Sequence, residues 1–208
     1  MRLPQPPLLT ITDRRISARP LPEQLLGACD GGCRWIMVRE KDLQEAALET
    51  LVRDLHADLK AAGLAMMVNG APALAARCGL TGVHLPQGRS VSKARRILGE
   101  GALIGVSVHD EGELRAAERD GADYVTLSPV FTSTSKGDYR APLGLQRFGV
   151  VVAGTDLPVL ALGGVTAARA GDCRRAGAAG LAVLGPIMTA QDPGHTARGI
   201  VDAWEAAR

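Results

Sequence analysis

Arg39 and Lys41 follow a short apolar run, and a third cation, Lys136, closes a hydroxyl-rich stretch that includes Ser133 and Ser135. Guanidinium, ammonium and hydroxyl groups are the usual donors to an anion's oxygens, and the carboxamide of Asn69 adds another. The turns Gly163-Gly164-Val165 and Leu184-Gly185 let backbone N–H groups close on a phosphate where a helix begins. His109 stands in Gly-Val-Ser-Val-His-Asp, two residues after Ser107. An imidazole titrates near neutrality and serves as general acid or base. These types describe a site that holds a phosphorylated small molecule and moves a proton. Any one cation alone is an ordinary solvated charge; three of them with Asn69, each after an apolar run, are not. His84 lies inside an apolar run and reads as a packed or hydrogen-bonded residue, while His56 and His195 read as surface.

The residues fall into place once the elements are read. Short apolar runs alternate with longer helical patterns eight times, over 8–13, 34–39, 64–69, 82–86, 103–109, 124–131, 158–163 and 180–184. Each run is continuously apolar, as in strands buried on both faces. Between them, Leu43, Ala47, Leu51, Leu55 and Leu59 suggest one stripe along a helix near 42–62, and Asp110 with Glu113 has the form of a capping box. Eight such units in 208 residues predict a single-domain (β/α)8 TIM barrel over 1–208. No GxGxxG turn follows the first strand, which argues against a dinucleotide fold. In a barrel, the C-terminal strand ends ring the site. Thr12, Asp13, Arg39, Lys41, Asn69, His84, Ser107 and His109 then fall at the strand ends that ring one mouth, with the 132–142 loop and the glycine turns.

Composition limits the partners. Hydrophobic residues make up 46% and aromatics 3%, so the core is built from Ala, Val, Leu and Ile. The net charge of +2 is spread over 24 basic and 22 acidic residues, which gives no nucleic-acid patch. No run is long enough to span a membrane, and the N-terminus has no signal-peptide form, so a cytoplasmic protein is expected. Cys29, Cys33, Cys78 and Cys173 are scattered and read as buried thiols. A homodimer is compatible with all of this.

The ordered landmarks ITD (11–13), VREKD (38–42), VNG (68–70), GVHLPQG (82–88), IGVSVH (104–109), GADYVTLSPVF (121–131) with TSTSKGD (132–138), GGV (163–165) and GLAVLGPIM (180–188) resemble the thiamine-phosphate synthase and thiazole tautomerase superfamily. The resemblance covers essentially the whole chain and implies the same barrel. Synthases of this kind join a pyrimidine pyrophosphate to thiazole phosphate with Mg2+. The resemblance would make Arg39, Lys41, Asn69 and Lys136 pyrophosphate ligands. It also places Mg2+-binding aspartates where this chain has Gly70 and, in the fourth segment, Gly88 or Arg89; Met37 replaces the usual Gln.

Tautomerases of the superfamily aromatise a thiazole carboxylate phosphate by proton transfer, and they resemble this chain at Asn-Gly and Leu-Pro. His109 would be their acid/base. The missing aspartates tilt the expectation toward a metal-free tautomerase with a thiazole phosphate substrate and no cofactor. Lys41 and the Lys136 loop look more like a synthase. The coupling reaction, with Mg2+, is therefore the alternative, and a non-catalytic thiazole-phosphate regulator is the second.

Overall fold

The computed structural model describes residues 3–132 and 141–207. Eight parallel strands close on themselves in chain order, β1 pairing with both β2 and β8. They are β1 (Leu8–Ile11), β2 (Trp35–Val38), β3 (Ala65–Asn69), β4 (Gly82–Leu85), β5 (Leu103–Val108), β6 (Tyr124–Leu127), β7 (Val159–Leu162) and β8 (Gly180–Val183). The helices are α1 (Leu21–Asp30), α2 (Glu45–Ala61), α3 (Pro72–Arg77), α4 (Val91–Leu98), α5 (Glu111–Arg119), α6 (Gly144–Ala153), α7 (Ala167–Arg175), α8 (Gly185–Met188) and α9 (Pro193–Glu205). This is the α/β barrel that the eight apolar runs predict.

Alternation along each strand separates two cores. Leu9, Ile11, Trp35, Met37, Met67, Leu103, Tyr124, Leu160 and Ala182 fill the barrel. Their neighbours, such as Ile36, Val38, Val68, Val83, Ile104 and Val125, pack under the helices. Two aromatic rings occupy the interior, Trp35 meeting Tyr124 edge-on at 4.9 Å. The Tyr124 ring takes the space that a β-carbon at 105 would need, so that position must be glycine. All four cysteines are buried and free.

Two boundaries differ from the sequence reading. The sixth run stops as a strand at Leu127, four residues short of Phe131, because Pro129 has no N–H with which to continue a ladder. In α2 the buried face is Val52, Leu55 and Leu59, with Leu48 and Leu51 packed at its edge, and Ala47 is exposed. A strict four-residue spacing drifts ~40° per step, so Ala47 rotates off the face that Leu59 buries, while Leu43 precedes the helix altogether. The cap of α5 is partly as expected. Asp110 accepts from Glu113 N–H at 2.9 Å, but Glu113 reaches back to His109 N–H at 2.8 Å rather than to the cap residue.

Candidate active site

The inward parity of each strand decides what reaches the mouth. Continuing Leu9–Ile11 brings Asp13 inward, Trp35–Met37 brings Arg39, and Ala65–Met67 brings Asn69. On β5 the sequence Leu103, Gly105, Ser107, His109 puts the last two above the filled interior. On β6, Tyr124 and Thr126 lead to Ser128. Gly164 and Leu184 cap β7 and β8. The structure therefore brings Arg39, Asn69, Ser107, His109, Gly163, Gly164, Leu184 and Gly185 to one end of the barrel, with Lys41 in the loop that leaves β2. Ser133, Ser135 and Lys136 lie outside the described residues.

The β1–β2 rim is a charge network. Thr12 donates to buried Glu40 at 2.6 Å and accepts from the Arg39 N–H at 3.0 Å, which fixes where Arg39 leaves the strand. Arg14 forks between Glu40 and Asp42 at 3.1 and 2.7 Å, and Arg15 pairs with Asp13 at 2.9 Å. Arg14 holds the Asp42 carboxyl down to about 2. Arg39 and Lys41 have no ion pair among the described residues. Burial lowers Arg39 from its ordinary value, and the charge of Arg39, ahead of burial, lowers Lys41. Two neighbouring cations without a carboxylate in ion-pair contact among the described residues form a site that an anion would relieve, although Asp13 and Glu40 partly offset the charge of Arg39.

Across the ring, Gly163 and Gly164 have φ of 96° and 63°. A β-carbon at 163 would sit 2.8 Å from Pro129 Cα, and one at 164 would run into the Thr132 carbonyl. The glycines thus allow both the turn and the close approach of the segment after β6. Thr166 precedes α7 without a side-chain cap, so among the described residues that helix's first-turn N–H groups have no side-chain acceptor. Leu184 and Gly185 open α8, a single turn.

His109 is half-buried, with Nδ1 2.7 Å from the Ser128 carbonyl oxygen. His84, at 1% exposure, is not at the mouth but beneath it. Its Nδ1 lies 3.0 Å from the Tyr124 hydroxyl and its Nε2 3.0 Å from Ser107 Oγ. Burial, with Arg39 second, pushes the His84 imidazole down to about 3, so it is neutral. Sequence reading named neither the Glu40 pin nor the Tyr124–His84–Ser107 chain. The period-2 parity of β4, β5 and β6 was the signal that could have found the latter.

A family model described as thiamine monophosphate synthase matches residues 8–187. The chain belongs to that family. A putative thiamine-phosphate synthase of Geobacter sulfurreducens is 37% identical to it over 93% of this chain and 92% of its own length. The thiamine-phosphate synthase of Roseiflexus castenholzii is 37% identical over 92% and 85%. In structure, the thiamine phosphate pyrophosphorylase of Pyrococcus furiosus superposes with a TM-score of 0.85 at 26% identity, covering 96% of both chains. The family places this chain among enzymes of thiamine biosynthesis. The expected leaning toward the tautomerase branch finds no support in these relatives, which carry synthase names.

The family resemblance implies Mg2+, and the residues present do not fit it. Gly70 and Gly88, both at positive φ, supply no carboxylate where the synthase pattern has one. The nearby acids are engaged: Asp13 by Arg15, Glu40 by Thr12 and Arg14, Asp42 by Arg14, and Glu113 by His109 N–H and Gln87. No cluster of three His, Cys, Asp or Glu side chains suited to a metal occurs among the described residues.

Proposed function

We propose that the chain is a thiamine-phosphate synthase, joining hydroxymethylpyrimidine pyrophosphate to thiazole phosphate. The observation that carries this reading is two positions suited to anions at one end of the barrel. Arg39 and Lys41, after β2, suit a pyrophosphate, and the glycine turns after β7 and β8 suit a monophosphate. A reaction between two phosphorylated substrates needs both. The synthase names of the relatives support the same assignment.

In the reaction the thiazole nitrogen forms a bond to the pyrimidine methylene carbon. The bond from that carbon to the pyrophosphate oxygen breaks, and its electron pair leaves with pyrophosphate. What this chain offers the departing charge is Arg39 and Lys41, the backbone of Arg39 being pinned at the strand end by Thr12 and Glu40, with Lys136 as a proposed third cation. Cations beside the departing oxygens stabilise the charge that develops there. Asn69 and Ser107 are proposed as neutral ligands to the same substrates.

A second reading is favoured by one observation, the glycines at 70 and 88. Aromatisation of thiazole carboxylate phosphate needs only a proton carrier, and His109 Nε2 at the mouth is suited to that. One assay tests both. Purified protein with the two coupling substrates and Mg2+ is expected to form thiamine phosphate with multiple turnovers. Failure to do so, with conversion of the non-aromatic thiazole tautomer faster than in buffer, replaces the first reading by the second.

A further inference from the structure

Beneath the mouth, three side chains from neighbouring strands form a polar chain inside a largely apolar barrel. Tyr124 on β6 and His84 on β4 are fully buried, while Ser107 on β5 is half-buried and reaches the mouth. Burying such groups costs free energy unless each proton finds an acceptor, so the directions of these bonds can be worked out.

The imidazole is neutral and carries one N–H. Burial keeps the Tyr124 hydroxyl un-ionised, so it has one proton to donate. Its two acceptors are His84 Nδ1 at 3.0 Å and the Met67 sulfur at 3.7 Å. The imidazole nitrogen is nearer and the stronger acceptor, so Tyr124 donates to Nδ1. The single ring proton is then on Nε2. Of its two oxygen neighbours, Ser107 Oγ at 3.0 Å is closer than Thr126 Oγ1 at 3.4 Å. Ser107 accepts from Nε2–H, and its own hydroxyl proton is left pointing toward the mouth.

We propose that His84 and Tyr124 are positioning residues that hold the Ser107 hydroxyl as a hydrogen-bond donor toward a phosphate-type oxygen in the mouth. This rests on the reading of the mouth as a site for phosphorylated substrates. The opposite ring tautomer would turn Ser107 around, making it donate to Nε2 and present lone pairs to an anion. A buried tyrosine two residues from the site thus sets the sign of a contact that it does not itself make. Position 105 is glycine because this ring must lie there, which ties the hydroxyl's location to the barrel packing.

The experiment is calorimetric titration of inorganic pyrophosphate and inorganic phosphate into wild type, Ser107→Ala, Tyr124→Phe and the double variant, with turnover measured separately. Tyr124→Phe keeps the packed ring and removes only the donor. Each single variant should raise the Kd of at least one probe about three- to tenfold, the range for one hydrogen bond. The double variant should be no weaker than Ser107→Ala, because without that hydroxyl the pair has nothing to orient. Unchanged affinity in Tyr124→Phe, effects that multiply in the double variant, or a wild type that binds neither probe overturns the proposal.

A second measurement needs no substitution. Long-range 1H–15N correlation spectra of wild type should show His84 as the Nε2–H tautomer, and an Nδ1–H signal overturns the proposal. Wild type that binds pyrophosphate with this pattern but makes no thiamine phosphate leaves it standing and removes the synthase reading instead.

Discussion

The Nδ1 of His109 lies 2.7 Å from the carbonyl oxygen of Ser128. A carbonyl only accepts, so Nδ1 carries a proton, and in the neutral ring the lone pair is on Nε2. The two possible reactions use that nitrogen differently. Coupling proceeds by attack of thiazole nitrogen and loss of pyrophosphate, with no proton that must pass through His109. Aromatisation has no other step than proton transfer, for which a positioned base contributes ~10²–10⁴-fold. His109→Ala is therefore expected to slow thiamine phosphate formation by less than about tenfold. It should slow any conversion of the thiazole tautomer by about 10²–10⁴-fold. Steady-state rates of both reactions check this, and a loss of coupling beyond 10²-fold assigns His109 a role in the synthase reaction that its geometry does not explain.

Arg39 is the main reason that the ammonium of Lys41 is harder to protonate than an ordinary lysine, burial coming second and Arg15 third. A like charge disfavours the charged form, so removing it raises the value, and so does an anion placed between the two. Arg39→Met should move the Lys41 titration upward, toward 10.5. Saturating wild type with pyrophosphate should move it the same way. Titration of 13C-labelled lysine by NMR reads both shifts. A Lys41 midpoint that ignores pyrophosphate would place the anion elsewhere on the mouth.

His84 makes folding pH-dependent in a predictable direction. Its folded value of about 3 lies below the ordinary 6.5, so between those limits the unfolded chain binds a proton that the folded chain does not. Stability therefore rises with pH across this window and falls as pH drops below about 6.5, by up to ~1.4 kcal/mol per pH unit. His56, lowered by burial and by Lys60, adds a contribution of the same sign. Urea unfolding between pH 5 and 6.5 should show this slope in wild type and a shallower one in His84→Gln. Equal slopes in the two proteins would mean that His84 is protonated inside the barrel.

Much of the fold was legible because the signals are local. Each of the eight apolar runs contains an observed strand, and the strand ends put Arg39, Asn69, Ser107 and His109 at one end of the barrel, with His84 below them rather than among them. What the runs did not show was pairing at long range. Glu40 with Thr12 spans 28 residues and His84 with Tyr124 spans 40, and both depend on strand register rather than on neighbours in sequence. His84 looked like a packing residue because its flanks, Val83 and Leu85, face the helices. The assignment of Ser133, Ser135 and Lys136 to the site lies outside the described residues and stands as a proposal. The choice between reactions turned on two glycines that depart from the synthase pattern, and departures at single positions leave the relatives' family-wide similarity untouched.

Those glycines give the last prediction. Gly88 has open space where a β-carbon would project, and at Gly70 the nearest atom would be Pro86 Cδ at an ordinary 3.5 Å. Side chains therefore fit sterically. Both positions have φ near +75°, at 73° and 76°, which costs a non-glycine residue roughly 1–2 kcal/mol, with aspartate among the better tolerated types. The double variant Gly70→Asp, Gly88→Asp should fold with a lowered Tm and gain two hard oxygen ligands. Mg2+ is bound through one or two carboxylates together with substrate phosphates. The variant's coupling rate should accordingly rise with Mg2+ concentration more steeply than the wild type's, by about tenfold or more at saturation if the metal contributes even ~1.4 kcal/mol. The control is the Gly70→Ala, Gly88→Ala protein, which carries the same backbone strain without the ligands. A Mg2+ response identical in the Asp and Ala variants would show that carboxylates at these positions do not reach the pyrophosphate. It would shift the explanation of the missing aspartates from lost metal ligands to a differently arranged mouth.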